Sequence, residues 1–419
     1  VERSRGLGDV YKRQVMFWVV LSFAGSIPFY LSGMSIIDSF FESMSGITTT
    51  GATVISNIDV LPESILFYRQ MLQWMGGMGL IVLAIAVMPL LGIGGGQIYK
   101  TEIPGAMGEQ RLTPRIKETA QALWSIYLGL TIVCALLYYL GGMSSFDAVS
   151  HAMSTVAIGG FSTHNESIGY FNSPVIEAVA IIFMVICGIN FGLHFYAFKG
   201  GIKNYLSDDE TRTYLLILSV AAVVTSISLI IFGRYDTLDA LRGSIFTVVS
   251  IFTTSGFTTE DFTQWPNMLP YMIFFGAFSG ACAGSTGGGM KIMRVLLIWK
   301  QGIREVFRII HPNAMFPVKV NHRPVSPGVI EAIWGFFSVY VLILVALHLI
   351  MIGFGMDFLT AFSAVGACLN NLGPGLGDVA YHYGDISDQA KIVLVVAMML
   401  GRLEIFTLLV LFTFMFWRK

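Results

Sequence analysis

Residues 38–53 read DSFFESMSGITTTGAT: an acidic residue, a run of apolar and small side chains, then threonines around one glycine, Gly51. Asp is a good helix N-cap, and the 13 residues from Asp38 to Gly51 hold a helix of about three turns followed by a little extended chain. That is too short to cross a bilayer, which takes about 20 residues. The pattern recurs as AIGGFS at 157–162, TTSGFT at 253–258 and NNLGPG at 370–375. The aligned glycines are Gly51, Gly160, Gly256 and Gly373, spaced by 109, 96 and 117 residues, and each follows an Asp expected to cap a short helix: Asp38, Asp147, Asp239 or Asp357. A period of this kind sets the architecture.

The chain around these segments is apolar. Of 419 residues 55% are hydrophobic and 12% charged, against the roughly 25% charged that a soluble domain uses. Long apolar runs at 15–33, 65–92, 120–141, 174–198, 213–233, 268–299, 329–354 and 390–417 predict eight spans. A net charge of −1, with no basic tract carrying interleaved aromatics, excludes nucleic acid as the expected partner. Cys134, Cys187, Cys282 and Cys368 lie one to an apolar segment without CxxC spacing and are expected to be packing residues. The opening VERSRGLGDVYKRQ has neither an amphipathic period nor a cleavage signal. It is expected to be a non-native lead, with the native chain beginning upstream of Val15.

The repeating unit is therefore long helix, short half-helix, glycine loop, long helix. Non-helical backbone at membrane depth survives only where protein buries it or where it lines a water-filled path. A lone glycine in such a helix is a packing contact or a kink. Four in register, each after a half-helix and flanked by Thr, Ser or Asn, point to one shared path. Glycine admits positive φ, so that successive carbonyls face one axis and replace a cation's hydration shell, while the half-helix C-termini turn partial negative charge towards it. The expected fold is an all-α polytopic membrane protein, with four pseudo-symmetric helix, pore helix, filter loop, helix repeats around a central ion pathway.

Charge sets the expected orientation. Segments 34–64, 142–173, 235–266 and 355–388 hold a single basic residue, Arg242, and many carboxylates, including Asp59, Glu63, Glu166, Glu260, Asp261, Asp378 and Asp385. The intervening connections carry Lys100, Arg111, Arg115, Lys117, Lys199, Lys203, Arg212, Lys300, Arg304, Arg308, Lys319, Arg323, Arg418 and Lys419. Positive-inside bias puts these in the cytoplasm and opens the loops to the outside. Most of the carboxylates read as solvated loops and caps; their summed field would also gather cations at the mouth.

The segments ESMSGITTTGATV, QWMGGMGLIVLAIAVMPLLGIGG, PRIKETAQALWSIY, SGFTTEDF, GACAGSTGGGMK and CLNNLGPGLGD resemble the bacterial TrkH potassium-uptake family of the TrkH/KtrB/Trk/HKT superfamily, from about Val15 to Lys419. The resemblance implies K⁺ uptake through four non-identical repeats, homodimerisation, a cytosolic nucleotide-binding regulator of the TrkA type, and a multi-pass place in the bacterial inner membrane with the filter facing outside. The resemblance implies an additional helical pair, usual ahead of the first repeat, that is expected to be missing from the sequence given. Expected boundaries are 1–14 for the lead, 15–92 for repeat 1, 93–199 for a cytoplasmic connection and repeat 2, 200–311 for repeat 3, and 312–419 for repeat 4. The filter positions carry over onto Thr49, Thr50 and Gly51; Ile158, Gly159 and Gly160; Thr254, Ser255 and Gly256; and Asn371, Leu372 and Gly373. K⁺ would be held at the carbonyls of Thr50, Gly159, Ser255 and Leu372, with no cofactor bound by the chain. Three of the four loops have one glycine where TVGYG-type filters have two, so fewer ion sites and a weaker K⁺ over Na⁺ preference are expected.

ACAGSTGGGMK, residues 281–291, interrupts an apolar run in repeat 3. Glycine costs about 1 kcal/mol relative to alanine in a helix interior, so Gly284, Gly287, Gly288 and Gly289 should break the helix. A close-packing face is the bland alternative. A phosphate loop is excluded, because Met290 separates Gly289 from Lys291. The resemblance implies an intramembrane loop that crosses the path beneath the filter and must move. Arg402, near the middle of the last span, is costly unless it faces water or a partner, and the resemblance assigns it a restraining role beside that loop. Lys291 either joins it or lies at the helix end. No HExxH or nucleophile elbow suggests an enzyme, and His194 and His348 read as core histidines. The competing reading is a cation carrier with alternating access, coupled to Na⁺ or H⁺, since broken helices at mid-depth also mark carriers.

Overall fold

The computed structural model describes residues 2–90, 116–232, 236–403 and 405–410. Lys100, Arg111, Arg115, Glu404, Arg418 and Lys419 lie outside them. The elements are α1 (Glu2–Leu31), α2 (Ile36–Ile47) and α3 (Glu63–Leu90); α4 (Ile116–Leu140), α5 (Ser145–Ala157), α6 (Pro174–Cys187), α7 (Phe191–Gly200) and α8 (Lys203–Ser207); α9 (Asp209–Ile231), α10 (Thr237–Phe252), α11 (Leu269–Ser279) and α12 (Ile292–Ile310); and α13 (Pro327–Gly353), α14 (Phe358–Leu369), α15 (Asp388–Arg402) and α16 (Ile405–Leu409). One antiparallel hairpin, β1 (Lys319–Val320) with β2 (Arg323–Pro324), joins α12 to α13.

The first helix of each repeat is long. Among the described residues, Gln14–Leu31, Gln121–Leu140, Asp209–Ile231 and Pro327–Gly353 are apolar and long enough to span a bilayer. Their outward side chains, such as Leu136, Leu216, Leu342 and Leu349, are exposed aliphatics, as on a lipid-facing helix. The helix in α1 starts at Glu2, so residues 2–14, set apart on sequence grounds, are helical and run into the first span, which begins at Gln14.

The second helices differ. Only α3 runs on, for 28 residues. In repeat 2 the expected straight span 174–198 bends by 94° between α6 and α7. In repeat 3 the span 268–299 stops at Ser279 and restarts at Ile292, and in repeat 4 the span beginning near 390 stops at Arg402. The runs of apolar residues hid the bend in repeat 2 and the stop in repeat 4, because hydropathy does not register a change of direction, whereas the break in repeat 3 falls on the expected glycine run.

The half-helices are α2, α5, α10 and α14, of 12, 13, 16 and 12 residues. Their caps correct the sequence reading in three repeats. The N-caps are Ser35, Ser144, Asp236 and Asp357, so only Asp357 is the expected capping acid. Asp38 and Asp147 stand three residues further in, their backbone N–H donating to the Ser35 and Ser144 hydroxyls at 3.1 and 3.0 Å while each carboxylate accepts from the same serine. This pair of bonds to one hydroxyl is a variant of the capping box, and the carboxylate suits the positive end of the helix. Measured from the true caps, the distance to the glycine is 16 residues in repeats 1, 2 and 4 (51 − 35, 160 − 144, 373 − 357) and 20 in repeat 3 (256 − 236), where α10 is one turn longer.

Ion pairs join neighbouring repeats. Arg242 of α10 forks onto Glu177 of α6 at 2.6 and 2.7 Å, and Lys391 of α15 reaches Asp38 of α2 at 2.7 Å, closing repeat 4 onto repeat 1. All four cysteines are buried and unbonded. His194 is satisfied by the Tyr205 hydroxyl at 2.8 Å and the Ile186 carbonyl at 3.0 Å.

Candidate functional site: the glycine strands and the loop beneath them

Each half-helix ends in the same way. The backbone N–H of Thr50, Gly159, Ser255 and Leu372 donates five residues back, to the carbonyls of Ser45, Ser154, Ser250 and Ala367, at 2.8 to 2.9 Å. The residue before each lies in the left-handed region: Thr49 at φ 54°, Ile158 at 53°, Thr254 at 67° and Asn371 at 53°. This is the Schellman way of ending a helix, which normally places glycine at the left-handed position. Here three β-branched side chains and an asparagine take it, at a cost of order 1–3 kcal/mol each. The aligned glycines come two residues later, also left-handed, at 82° for Gly51, 78° for Gly160, 80° for Gly256 and 96° for Gly373. Sequence reading found the second positive φ in each strand and missed the first.

The glycines are required by space as well. A Cβ at Gly51 would collide with the Gly159 carbonyl oxygen, one at Gly160 with that of Ser255, and one at Gly256 with that of Leu372. At Gly373 it would sit 2.8 Å from the Thr50 carbonyl oxygen. Each strand thus abuts the carbonyl of the next, in the order 1 to 2 to 3 to 4 and back to 1, and the ring closes. All twelve strand residues singled out in the sequence lie in this ring.

The glycines open onto a cavity of about 590 Å³ lined by Gly51, Gly160, Gly256 and Gly373 together with Glu166, Glu260 and Asp261. Burial raises the Asp261 carboxyl, but hydrogen bonds from Thr263, Tyr381 and Gln264 outweigh it and hold the group below the usual carboxylate range. The mouth keeps that anion. Asp59 is engaged by His164 and Asn165, while Glu63, Asp378 and Asp385 are exposed.

Behind strands 1 and 2 stands a charged pair that hydropathy passed over. Arg69 of α3 and Glu42 of α2, both fully buried, meet at 2.8 Å. Arg69 also donates to the Ser162 carbonyl at 3.0 Å and the Thr53 hydroxyl at 3.2 Å, and its guanidinium lies 4.1 Å from the Phe161 ring centroid. Glu42 accepts from the Thr53 hydroxyl and the Val54 N–H, each at 3.0 Å. The signal was present: an Arg and a Glu inside apolar membrane segments are expensive and must pair.

Beneath the ring lies the loop between α11 and α12, residues 280–291. It breaks the helix as its glycines foretold, with Gly284 at φ 71° and Gly289 at 74°. The Gly288 N–H donates to the Thr254 hydroxyl at 2.6 Å and the Gly289 N–H to the Asn370 carbonyl at 3.0 Å, so the loop hangs from strand 3 and from the end of α14. A Cβ at Gly287 would come within 2.8 Å of the Thr253 carbonyl oxygen, and one at Gly288 would collide with that of Asn370. The Thr286 hydroxyl reaches the Val156 carbonyl at 3.0 Å. Arg402, buried, donates to the Thr286 carbonyl and to the Gly76 carbonyl of α3, both at 3.1 Å. Its partners are carbonyls, not the carboxylate a structural pair would supply. Lys291 takes the position before α12 at φ 77° and donates to the Gly287 carbonyl, tightening the loop on itself.

Two anchors of this loop escaped sequence reading. Glu210 of α9, buried, accepts from the Ala283 N–H at 2.7 Å and the Met293 N–H at 3.1 Å, gripping both ends. The bend between α6 and α7 docks on it through Cys282 N–H to the Gly188 carbonyl at 2.9 Å and Phe191 N–H to the Gly284 carbonyl at 3.0 Å.

The sequence model of the TrkH family, described as a cation transport protein, matches residues 4–419. Curated relatives include the Trk system potassium uptake protein TrkH of Halomonas elongata, 54% identical over 98% of this chain and 86% of the relative, and that of Escherichia coli K12, 49% identical over 97% and 85%. The Trk system potassium uptake protein TrkG of the same E. coli strain is 42% identical over 97% and 84%. Among solved structures, that of the potassium transporter TrkH from Vibrio parahaemolyticus superposes with a TM-score of 0.89 at 51% identity, covering 98% of this chain and 86% of that one.

Proposed function

The chain belongs to the TrkH family of cation transport proteins, a family of membrane transporters rather than enzymes, and from that premise we propose that it takes up K⁺ through a gated, moderately selective pore. The observation that carries the pore is the closed ring, in which each glycine abuts the next strand's carbonyl. Strands that interlock around one axis make a continuous path, whereas a carrier needs two bodies that rock past each other. The carbonyls of Thr50, Gly159, Ser255 and Leu372 are the proposed K⁺ ligands, and loop 280–291 with Arg402 is the proposed gate. The positive-inside bias supports a filter facing outside in a bacterial inner membrane. Regulation by a cytosolic nucleotide-binding subunit and homodimerisation are proposed from the family resemblance, and the "Trk system" names of the relatives support a system of more than one component.

Bilayer recording from purified protein in opposed K⁺ and Na⁺ solutions tests the reading. A pore gives unitary currents with a reversal potential favouring K⁺, and Gly256→Ser moves that potential towards zero, because a side chain there meets the Leu372 carbonyl and the Pro374 ring. Slow, saturable turnover without unitary current would establish the carrier instead.

A further inference from the structure

Within the motif QWMGGMG the ring and the gate account for Gly76 but not for Gln73, and Gln73 is fully buried in α3. Its carboxamide crosses from repeat 1 into strand 2. The Nε2 donates to the Gly159 carbonyl at 2.6 Å, and the Oε1 accepts from the Ser154 hydroxyl at 2.6 Å and from the Phe161 N–H at 3.1 Å. Both ends of the amide are engaged, and the two acceptor contacts fix which end faces Gly159.

Three observations give this contact weight. Strand 2 is the only one with consecutive glycines, Gly159 and Gly160, so its peptide is the freest to rotate of the four. Gly159 is not left-handed, so conformation alone does not demand glycine there, but a Cβ would run into the Gln73 carboxamide, with Nε2 2.8 Å away. Among the described residues, the carbonyls of Thr50, Ser255 and Leu372 have no side-chain donor. In repeat 4, Met398 stands three residues before Gly401 as Gln73 stands before Gly76, and a thioether has no hydrogen to give.

We propose that Gln73 is a selectivity-determining positioning residue. It holds the freest of the four ring carbonyls, that of Gly159, in the orientation a K⁺ ion requires, and it occupies one of that oxygen's two lone pairs, making the ring unequal. The inference rests on the filter reading above. Gln73 does not touch the ion; it acts through the Gly159 peptide. Its removal lets that peptide turn, and a turned carbonyl withdraws one ligand from the ion, which weakens discrimination before it weakens folding.

The test is the K⁺/Na⁺ permeability ratio of purified Gln73→Leu and Gln73→Glu, with Gln70→Leu as a control for removing a buried amide one turn away. Glutamate keeps the length and both acceptor contacts; ionised, it loses the donor and gains a negative charge, so it is read well above the carboxylate pH range and stays informative if the leucine variant misfolds. The expected result is a ratio lowered about three- to tenfold in both Gln73 variants, the range of one net hydrogen bond, and unchanged in Gln70→Leu. An unchanged ratio in folded Gln73 variants, alongside a changed one in Gly256→Ser, overturns the inference and leaves the filter standing. An unchanged ratio in all of them overturns the filter reading as well. An equal fall in Gln70→Leu shows that Gln73 only packs, which also overturns the proposal.

Discussion

The ring of glycine strands and the layer beneath it are built on opposite plans. The ring is made four times from equivalent parts, with the same bond five residues back and the same left-handed pair in every strand. The lower layer is made once, from a loop in repeat 3, a bend in repeat 2 and a helix end in repeat 4. In the ring no strand shifts without driving a glycine into its neighbour's carbonyl. In the lower layer the loop is held from above by single hydrogen bonds, each able to break without the others. Equivalence interlocks the strands, and the proposed gate is the element present in a single copy.

The largest expected effect tests the rigid side. Arg69→Met leaves Glu42 buried without its cation, and such a loss costs about 3–5 kcal/mol. Thermal unfolding of detergent-solubilised protein should shift sharply downward; an unmoved transition would show that the ring does not lean on this pair. Next comes the proposed gate. Deleting Gly287 to Gly289 removes the bonds to Thr254 and Asn370 and the Lys291 contact, at about 1 kcal/mol each, so basal Rb⁺ uptake without a regulator should rise on the order of a hundredfold. A packing role predicts the reverse, an unstable protein and less uptake.

Arg402→Ala gives up a charged donor to the Thr286 carbonyl, about 1.5–3 kcal/mol, and should raise uptake about tenfold or more. Lowered flux in both well-folded gate variants would erase the contrast and return the glycines to packing. Combined with the deletion, its effect should fall short of the sum of the two, since both release one loop. The smallest effect is that of Thr254→Val, which removes the hydroxyl that accepts from Gly288 while keeping the β-branched shape. A rise of about fivefold in basal uptake, one bond's worth, would place the joint between the layers at this residue, and a lowered K⁺/Na⁺ ratio instead would place Thr254 wholly within the ring.

The same contrast governs what the sequence disclosed. The four strands were legible because repetition makes a weak signal add up, and the break at the glycine run because four glycines in an apolar helix cost about 1 kcal/mol each. The capping serines were missed since Asp38 and Asp147 also favour a helix start, and only the backbone tells Ncap from the third helical residue. Glu210 and Gln73 were illegible for a different reason. Each acts through the backbone of a distant segment, at Ala283 and Gly159, and a single sequence carries no mark of such pairing.

The four strands sit on one polypeptide. In a ring assembled from identical subunits every substitution arrives in four copies and the site is remade all at once. Here a single codon change reaches one quadrant, as the unlike residues Thr50, Gly159, Ser255 and Leu372 already show. The proposed ion preference of such a ring can drift in quarter-steps, each changing one quadrant of the shared path while the other three keep their form.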